Sequence, residues 1–517
     1  MENVGYAHLI DEHRLSVLSL PAICVVSDAL PDRRIRDLGG QVYQEFARAY
    51  QPDPSALGHM RFALRYEGLN LEVLAQLFER IGDQEIRDAV LKQPRSVIAR
   101  RLGFLYEWLT GKTLDLPKDV QTAIRRAQYS AALDDRLQFG FAPASSPRNE
   151  KYRVIDNLPG TREFCPLVRK TSHLTRMVSK GLRALTLATL AKYDRSLVQR
   201  AAAFLYLKET HSSFEVEREK PSANKAQRFA DLLHDAELDK PLSEDRFVEL
   251  QNAVVDPRFA EASYRTMQNW IGTDLGYRAR VDFVPPRPED VRPLMNGLVA
   301  LAARLRAQPE DIDAVVAASA ISFGFVFIHP FMDGNGRLHR YLIHESLSAA
   351  GFTPKGVILP VSAVILSNLD KYKSALEGYS RQVRDRTSYD PAAPIVAPVG
   401  NDAIHFRYFD ATEQASFLYD ALEQTVEKDL DAEISYLLGF DRAEHALSAI
   451  FDWPAHSLET FILVVHQNND RLSLTKRKSH FHWMTDAEVA RFENIVARAF
   501  TRDIDIHDID PPLNPDP

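Results

Sequence analysis

Cysteine is almost missing from this chain: its 517 residues hold only Cys24 and Cys165. Two thiols cannot build a disulfide framework, and their scarcity fits a reducing compartment. A basic excess is missing too. The net charge is −8, which leaves no electrostatic footprint for nucleic acid, and none is expected as a partner. Long apolar runs are also lacking; the one that ends at Ile328 is interrupted by Ser319, Ser322 and Gly324, so no membrane span is expected. The first residues, Met1-Glu2-Asn3 with Asp11, Glu12, His13 and Arg14 close behind, do not read as a signal peptide. These absences together predict a cytoplasmic protein. There are no internal repeats. Hydrophobic residues make up 45% of the chain, an ordinary globular content, and its length allows two to four domains.

The most informative stretch is His329-Pro330-Phe331-Met332-Asp333-Gly334-Asn335-Gly336-Arg337-Leu338-His339-Arg340. An apolar run from Ala314 to Ile328 precedes it, long enough for a buried helix, and Pro330 should end that helix at His329. Leu338, Tyr341, Leu342 and Leu347 then recur at helical spacing up to a stop at Gly351. The stretch therefore reads as helix, tight loop, helix. Gly334 and Gly336 let backbone N–H groups approach an anion, and the second helix adds its positive N-terminal end. Arg337 and Arg340 share one helix face and can reach the same polyphosphate. Asp333 is a hard oxygen ligand suited to Mg²⁺ held jointly with phosphates. His329 has the intrinsic basicity of a general base near neutral pH. No Gly-Lys-Ser/Thr follows these glycines, so this is no Walker A loop, and the preceding helix excludes the dinucleotide fingerprint.

Position for position, the stretch resembles the signature of the Fic (filamentation-induced-by-cAMP) family, His-Pro-Phe-x-Asp/Glu-Gly-Asn-Gly-Arg-x-x-Arg. The resemblance implies Mg²⁺-dependent transfer of AMP from ATP to a Ser, Thr or Tyr hydroxyl of a target protein. It makes His329 the base and Asp333 the metal ligand. Asn335 and the amides of Gly334 and Gly336 would cradle the α-phosphate, Arg337 would hold the β-phosphate and Arg340 the γ-phosphate. The related Doc kinases depart from the pattern at the acidic and glycine positions, and this chain keeps both, which favours nucleotidyl transfer. Upstream, Ser213 and Glu217 stand four apart, neighbours on one helical face. They resemble the family's inhibitory motif, Ser/Thr-x-x-x-Glu-Gly/Asn, with Arg218 departing from the Gly/Asn position. The resemblance implies that Glu217 pairs with Arg340 and removes a phosphate anchor. Two rival readings are removal of AMP from a modified protein and a nucleotide-binding, toxin–antitoxin-like module with little turnover.

The remaining chain reads as mainly helical. A helical pattern appears from Asp32 to Gln51, and further helices at Leu71–Phe78, Gln84–Leu91 and Ser96–Leu109. Residues Ala142 to Gly160 form a boundary rich in Pro and Ser. Two short apolar runs between Asn269 and Pro286 flank a glycine turn and predict a β-hairpin; it resembles the Fic flap, which implies a target protein docked along it. Tyr372, on a predicted helix from Ile365 to Tyr379, is placed by the resemblance at the adenine pocket. His480 and His482 would share a face if extended, with ordinary packing the simpler reading. The tail from Asp503 to Pro517 is acidic and Pro-rich, a disorder pattern. The expected architecture is an all-α Fic fold with a small hairpin flap. It comprises an N-terminal helical region (1–160), a Fic domain (161–390) and a C-terminal helical region (391–517), with a homodimer possible. The Fic domain would hold an inhibitory helix near 205–219, the flap near 269–284 and the loop 329–340.

Overall fold

A computed structural model describes all residues except 1, 29–31, 236–239, 277, 393–395, 397, 399–402, 455 and 502–517. The acidic tail and most of the Pro/Ala-rich stretch 391–399 therefore lie outside the described residues. The chain is mainly helical, as the periodicity predicts, with small sheets.

Its centre is the helix Ala314–Ile328, apolar on every side and buried along nearly its whole length. Asp313 starts it, its carboxylate accepting the N–H groups of Val315 and Val316, each at 3.0 Å. Capping of this kind satisfies donors that a helix start leaves without partners. Beside it runs the helix Asn335–Ala349, which carries the arginines. The helices Arg195–Val216, Ala223–Asp235, Glu244–Val254, Pro288–Ala307 and Thr412–Gln424 complete the surrounding layer. One buried cluster spans this unit from Phe139 to Ile434. A second, from Tyr6 to Tyr408, fills the N-terminal helices, and a third, from Ala443 to Ala499, fills a C-terminal helical group. That C-terminal group is fastened to the helix Arg195–Val216 and its approach. Arg200 pairs with Asp441 at 2.6 Å, the Tyr193 hydroxyl donates to Asp431 at 2.7 Å, and Lys208 pairs with Glu433.

The helix expected from Asp32 to Gln51 is not there. The segment forms the strands Arg33–Leu38 and Gln41–Ala47, followed by a single 3-10 turn. They join a four-stranded sheet with Glu2–Asn3 and Ile23–Ser27. The misreading has a clear cause. Arg34 and Arg36, two apart on one strand, both reach across to Glu45, cross-strand pairs that appear only once the partner strand is in place. The expected hairpin is present as Ile271–Asp274 paired antiparallel with Ala279–Phe283. His480 and His482 are exposed beyond a short helix, not on a strand, and no group of three or more metal-binding side chains occurs among the described residues. Nor, among those residues, is any helix long and apolar enough to cross a membrane.

Candidate active site

His329 closes the central helix in a left-handed conformation, φ 52° and ψ 59°. Pro330 disfavours helical geometry in the residue before it, so the chain turns there. A non-glycine residue in this region is strained and must be held by its surroundings. Arg265 holds it: Nε donates to the His329 carbonyl at 2.8 Å, and the Arg265 amide donates to the Pro330 carbonyl, also at 2.8 Å. Burial, with Arg265 next in effect, pushes the His329 imidazole down to about 3. The ring is thus neutral at physiological pH and able to accept a proton. It keeps a partly exposed edge.

The loop after His329 is tied to itself. The Asn335 side chain accepts the Phe331 amide at 3.1 Å and donates to the Phe331 carbonyl at 2.7 Å. The side chain expected on the α-phosphate is therefore occupied in shaping the loop, and the residue's contribution to an anion is left to its amide at the helix start. Gly334 stands at φ 90°, which a side chain would strain. Asp333 keeps about half of its side chain exposed; Oδ1 accepts the Gly334 amide at 2.6 Å and lies 3.1 Å from Arg337 Nη2. A half-exposed hard carboxylate suits Mg²⁺, which is held by one or two carboxylates plus phosphate oxygens where it binds polyphosphates. Glu261 approaches the same loop, accepting the Met332 amide at 2.7 Å.

The two arginines are buried, 2% and 1% exposed, yet neither lacks partners. Arg340 Nε donates to Ser213 Oγ and Nη2 to the Ser213 carbonyl, both at 2.7 Å, while Nη2 also reaches Glu217 Oε1 at 2.8 Å. Burial pulls the Arg340 pKa down, but Glu217, with Tyr372 and Glu209, more than offsets this and the net shift is upward. The other Glu217 oxygen lies 3.2 Å from Arg337 Nε. The carboxylate thus bridges both arginines, a wider grip than the Arg340 pairing that the resemblance implies. It also sits over the start of the signature helix: a Cβ on Gly336 would come within 2.2 Å of Glu217 Oε1. Glycine at 336 is what lets an anion settle there.

The arrangement that delivers Glu217 is local. Glu217 ends the helix Arg195–Val216, and Arg218 follows at φ 59°. The Glu219 amide donates to the Phe214 carbonyl at 3.1 Å and the Arg218 amide to Glu215 at 2.8 Å. These two bonds define a Schellman turn, which usually takes glycine or asparagine at the left-handed position. Arg218 is the one departure from the inhibitory motif, and it occupies that strained position.

Further along the same helix, Glu209 is fully buried against His344 at 2.8 Å and accepts the Ser362 amide at 2.8 Å. Burial alone would raise the Glu209 pKa, but His344 and Ser362 hold it below the usual carboxylate range. Glu217, Ser213 and Glu209 therefore meet Arg337, Arg340 and His344 in rungs along two antiparallel helices. Tyr372 stacks near His339, 6.0 Å between centroids, and beside Phe417 at 5.6 Å. It is 6% exposed, so its ring is core packing next to Arg340 rather than the wall of an open pocket. Sequence reasoning brought together His329, Asp333, Arg337, Arg340, Ser213 and Glu217. It missed Arg265, Glu261 and Glu219, which act across long sequence separations and carry no local pattern.

Residues 241–347 match the profile described as Fic/DOC family. Over 73 residues the chain is 41% identical to the Protein adenylyltransferase Fic of Nematostella vectensis, a match that covers 14% of this chain and 17% of that protein's length. Among solved structures, a Fic domain containing signaling protein from Bacteroides thetaiotaomicron is 20% identical, with 50% of this chain and 95% of that one covered and a TM-score of 0.36. A Fic family protein from Desulfovibrio desulfuricans is 17% identical, with 59% and 90% covered and a TM-score of 0.37. The signature loop and the arginines that follow it lie within the segment, residues 241–347, that matches the Fic/DOC family.

Proposed function

We propose that this protein transfers AMP from ATP to a hydroxyl of a target protein and is held silent at rest by Glu217. The observation that carries the reading is the Glu217 carboxylate bridging Arg337 and Arg340 at the start of the signature helix. An anion already rests where two buried guanidinium groups and a helix N-terminus converge, and such a site suits a polyphosphate. When Glu217 withdraws, the phosphates take its place. The neutral imidazole of His329 then accepts the proton of the target hydroxyl. The hydroxyl oxygen forms a bond to the α-phosphorus, the bond from that phosphorus to the bridging oxygen breaks, and pyrophosphate leaves with the electron pair. Arg337 and Arg340 hold the departing charge. Asp333 would hold Mg²⁺ together with phosphate oxygens, and the ion would supply charge neutralisation to the polyphosphate.

The target would lie along the hairpin Ile271–Asp274 and Ala279–Phe283. Its first strand is exposed throughout and pairs only with the second among the described residues, so its outer edge is available for strand addition. A second reading, hydrolysis of AMP from a modified protein, draws on the 30% of the Glu217 side chain left exposed, where a water could be aligned.

The test is transfer from α-labelled ATP with Mg²⁺, compared across wild type, Glu217→Gly, and Glu217→Gly with His329→Ala. Label on protein in the single variant, lost in the double variant, supports the transferase. No label in any of the three, together with AMP release from a modified protein by wild type, would replace it with the hydrolase.

A further inference from the structure

Arg337 is surrounded by acids. Its Nε lies 3.2 Å from Glu217, its Nη2 3.1 Å from Asp333 and its Nη1 3.3 Å from Glu219. Nη1 also donates to the Val254 carbonyl at 2.6 Å, and the guanidinium carbon lies 5.4 Å from the centre of the Phe214 ring. Asp333 belongs to the loop and Glu217 to the inhibitory motif. Glu219 belongs to neither.

We infer that Glu219 is a second inhibitory carboxylate, which blocks Arg337 as Glu217 blocks Arg340, so that the resting lock acts on nucleotide binding and not only on nucleotide alignment. The inference rests on the proposed nucleotide site. Both carboxylates flank Arg218 in one Schellman turn, so the backbone that presents Glu217 also presents Glu219. They take different edges of the same cation. A phosphate oxygen that approaches Arg337 must displace Glu219 from Nη1 even after Glu217 is gone, and it meets like charge as it does so. An alternative partner is already in place, because Lys225 pairs with the other Glu219 oxygen. Glu219 can therefore release Arg337 without becoming an unpaired carboxylate, and this makes it a displaceable acid rather than a fixed structural one. With a side chain 34% exposed, its effect should be that of a partly solvated ion pair, about two- to fivefold in affinity.

The experiment is equilibrium binding of ATP with Mg²⁺ to the full chain, by calorimetry, for wild type, Glu217→Gly, Glu219→Gln and the double variant. AMP serves as the control ligand, since it has no β- or γ-phosphate to reach Arg337. The expected result is that Glu219→Gln lowers the Kd for ATP about two- to fivefold in the Glu217→Gly background while the Kd for AMP stays put. An unchanged or higher Kd for ATP would overturn the inference, as would an equal shift for AMP, which would mark a merely structural effect. If Glu217→Gly binds ATP no better than wild type and transfers no label, the proposed function itself fails. A Glu217→Gly that binds and transfers while Glu219→Gln adds no affinity sinks only the second carboxylate.

Discussion

Replacing Arg218 by glycine should tighten the lock. The residue sits at φ 59°, the left-handed position of the turn that presents both Glu217 and Glu219. A side chain in that conformation costs about 1–2 kcal/mol, and glycine escapes the cost. Glycine also gives the released turn more conformational freedom, which returns about 0.5–1 kcal/mol to the open state. The balance favours the locked turn by about 0.5–1 kcal/mol, or roughly a two- to fivefold lower resting activity. The assay is the initial rate of self-labelling from α-labelled ATP, wild type against Arg218→Gly, with thermal melting beside it. The same change in a background with both Glu217→Gly and Glu219→Gln is the control, and there the rate should not move. Faster labelling in Arg218→Gly would refute the reasoning. So would an unchanged rate with a raised melting temperature, because Glu217 would then withdraw by a side-chain rotation without loosening the turn.

Glu209→Ala should be severely destabilising, about 3 kcal/mol or more by urea unfolding, because it strands His344 and the Ser362 amide in the core; a loss below about 1 kcal/mol would show that the buried pair is dispensable. His329 and His339 are both pushed down to about 3 by burial, so the unfolded chain binds their protons first and the stability they contribute, full above about pH 6.5, is lost as pH falls toward 3. The melting temperature should therefore drop between pH 7.5 and pH 5, and a rise would contradict the assignment. Glu261→Ala in the Glu217→Gly background should weaken Mg²⁺-dependent ATP binding, since the carboxylate steadies the loop through the Met332 amide, whereas Glu261→Gln, which keeps an acceptor oxygen, should restore most of it. Equal losses in both variants would point to the charge of Glu261 rather than to its hold on the loop.

The loop was legible because its chemistry is contiguous. His329, Asp333, the glycines and both arginines fall within one helix–loop–helix segment, and local geometry alone brings them together. Ser213 and Glu217 were legible for the same reason, one turn apart on a helix. Arg265 was not: it reaches His329 from 64 residues away, through backbone carbonyls that any sequence supplies. Glu219 was hidden beside a stronger signal, since only the turn geometry at Arg218 aims it at Arg337. Asn335 shows a different limit. Its residue type suits a phosphate, but an amide side chain suits a backbone equally well, and Phe331 takes it. The N-terminal sheet escaped because the pairing of Arg34 and Arg36 with Glu45 is made only across two folded strands and leaves no local mark in the sequence.

That Asn335 clasp has a thermodynamic corollary. A glycine-rich loop left to itself would sample many shapes, and a ligand would have to select one of them at its own expense in affinity. Here the amide side chain staples both polar groups of one residue four positions earlier, so the cup is cast before any nucleotide arrives. On the proposed function, entry then costs the ligand only its own freedom and the eviction of the Glu217 and Glu219 carboxylates. Activity on that reading is governed by vacancy rather than by assembly: the loop stands finished, and what changes is which anion occupies it.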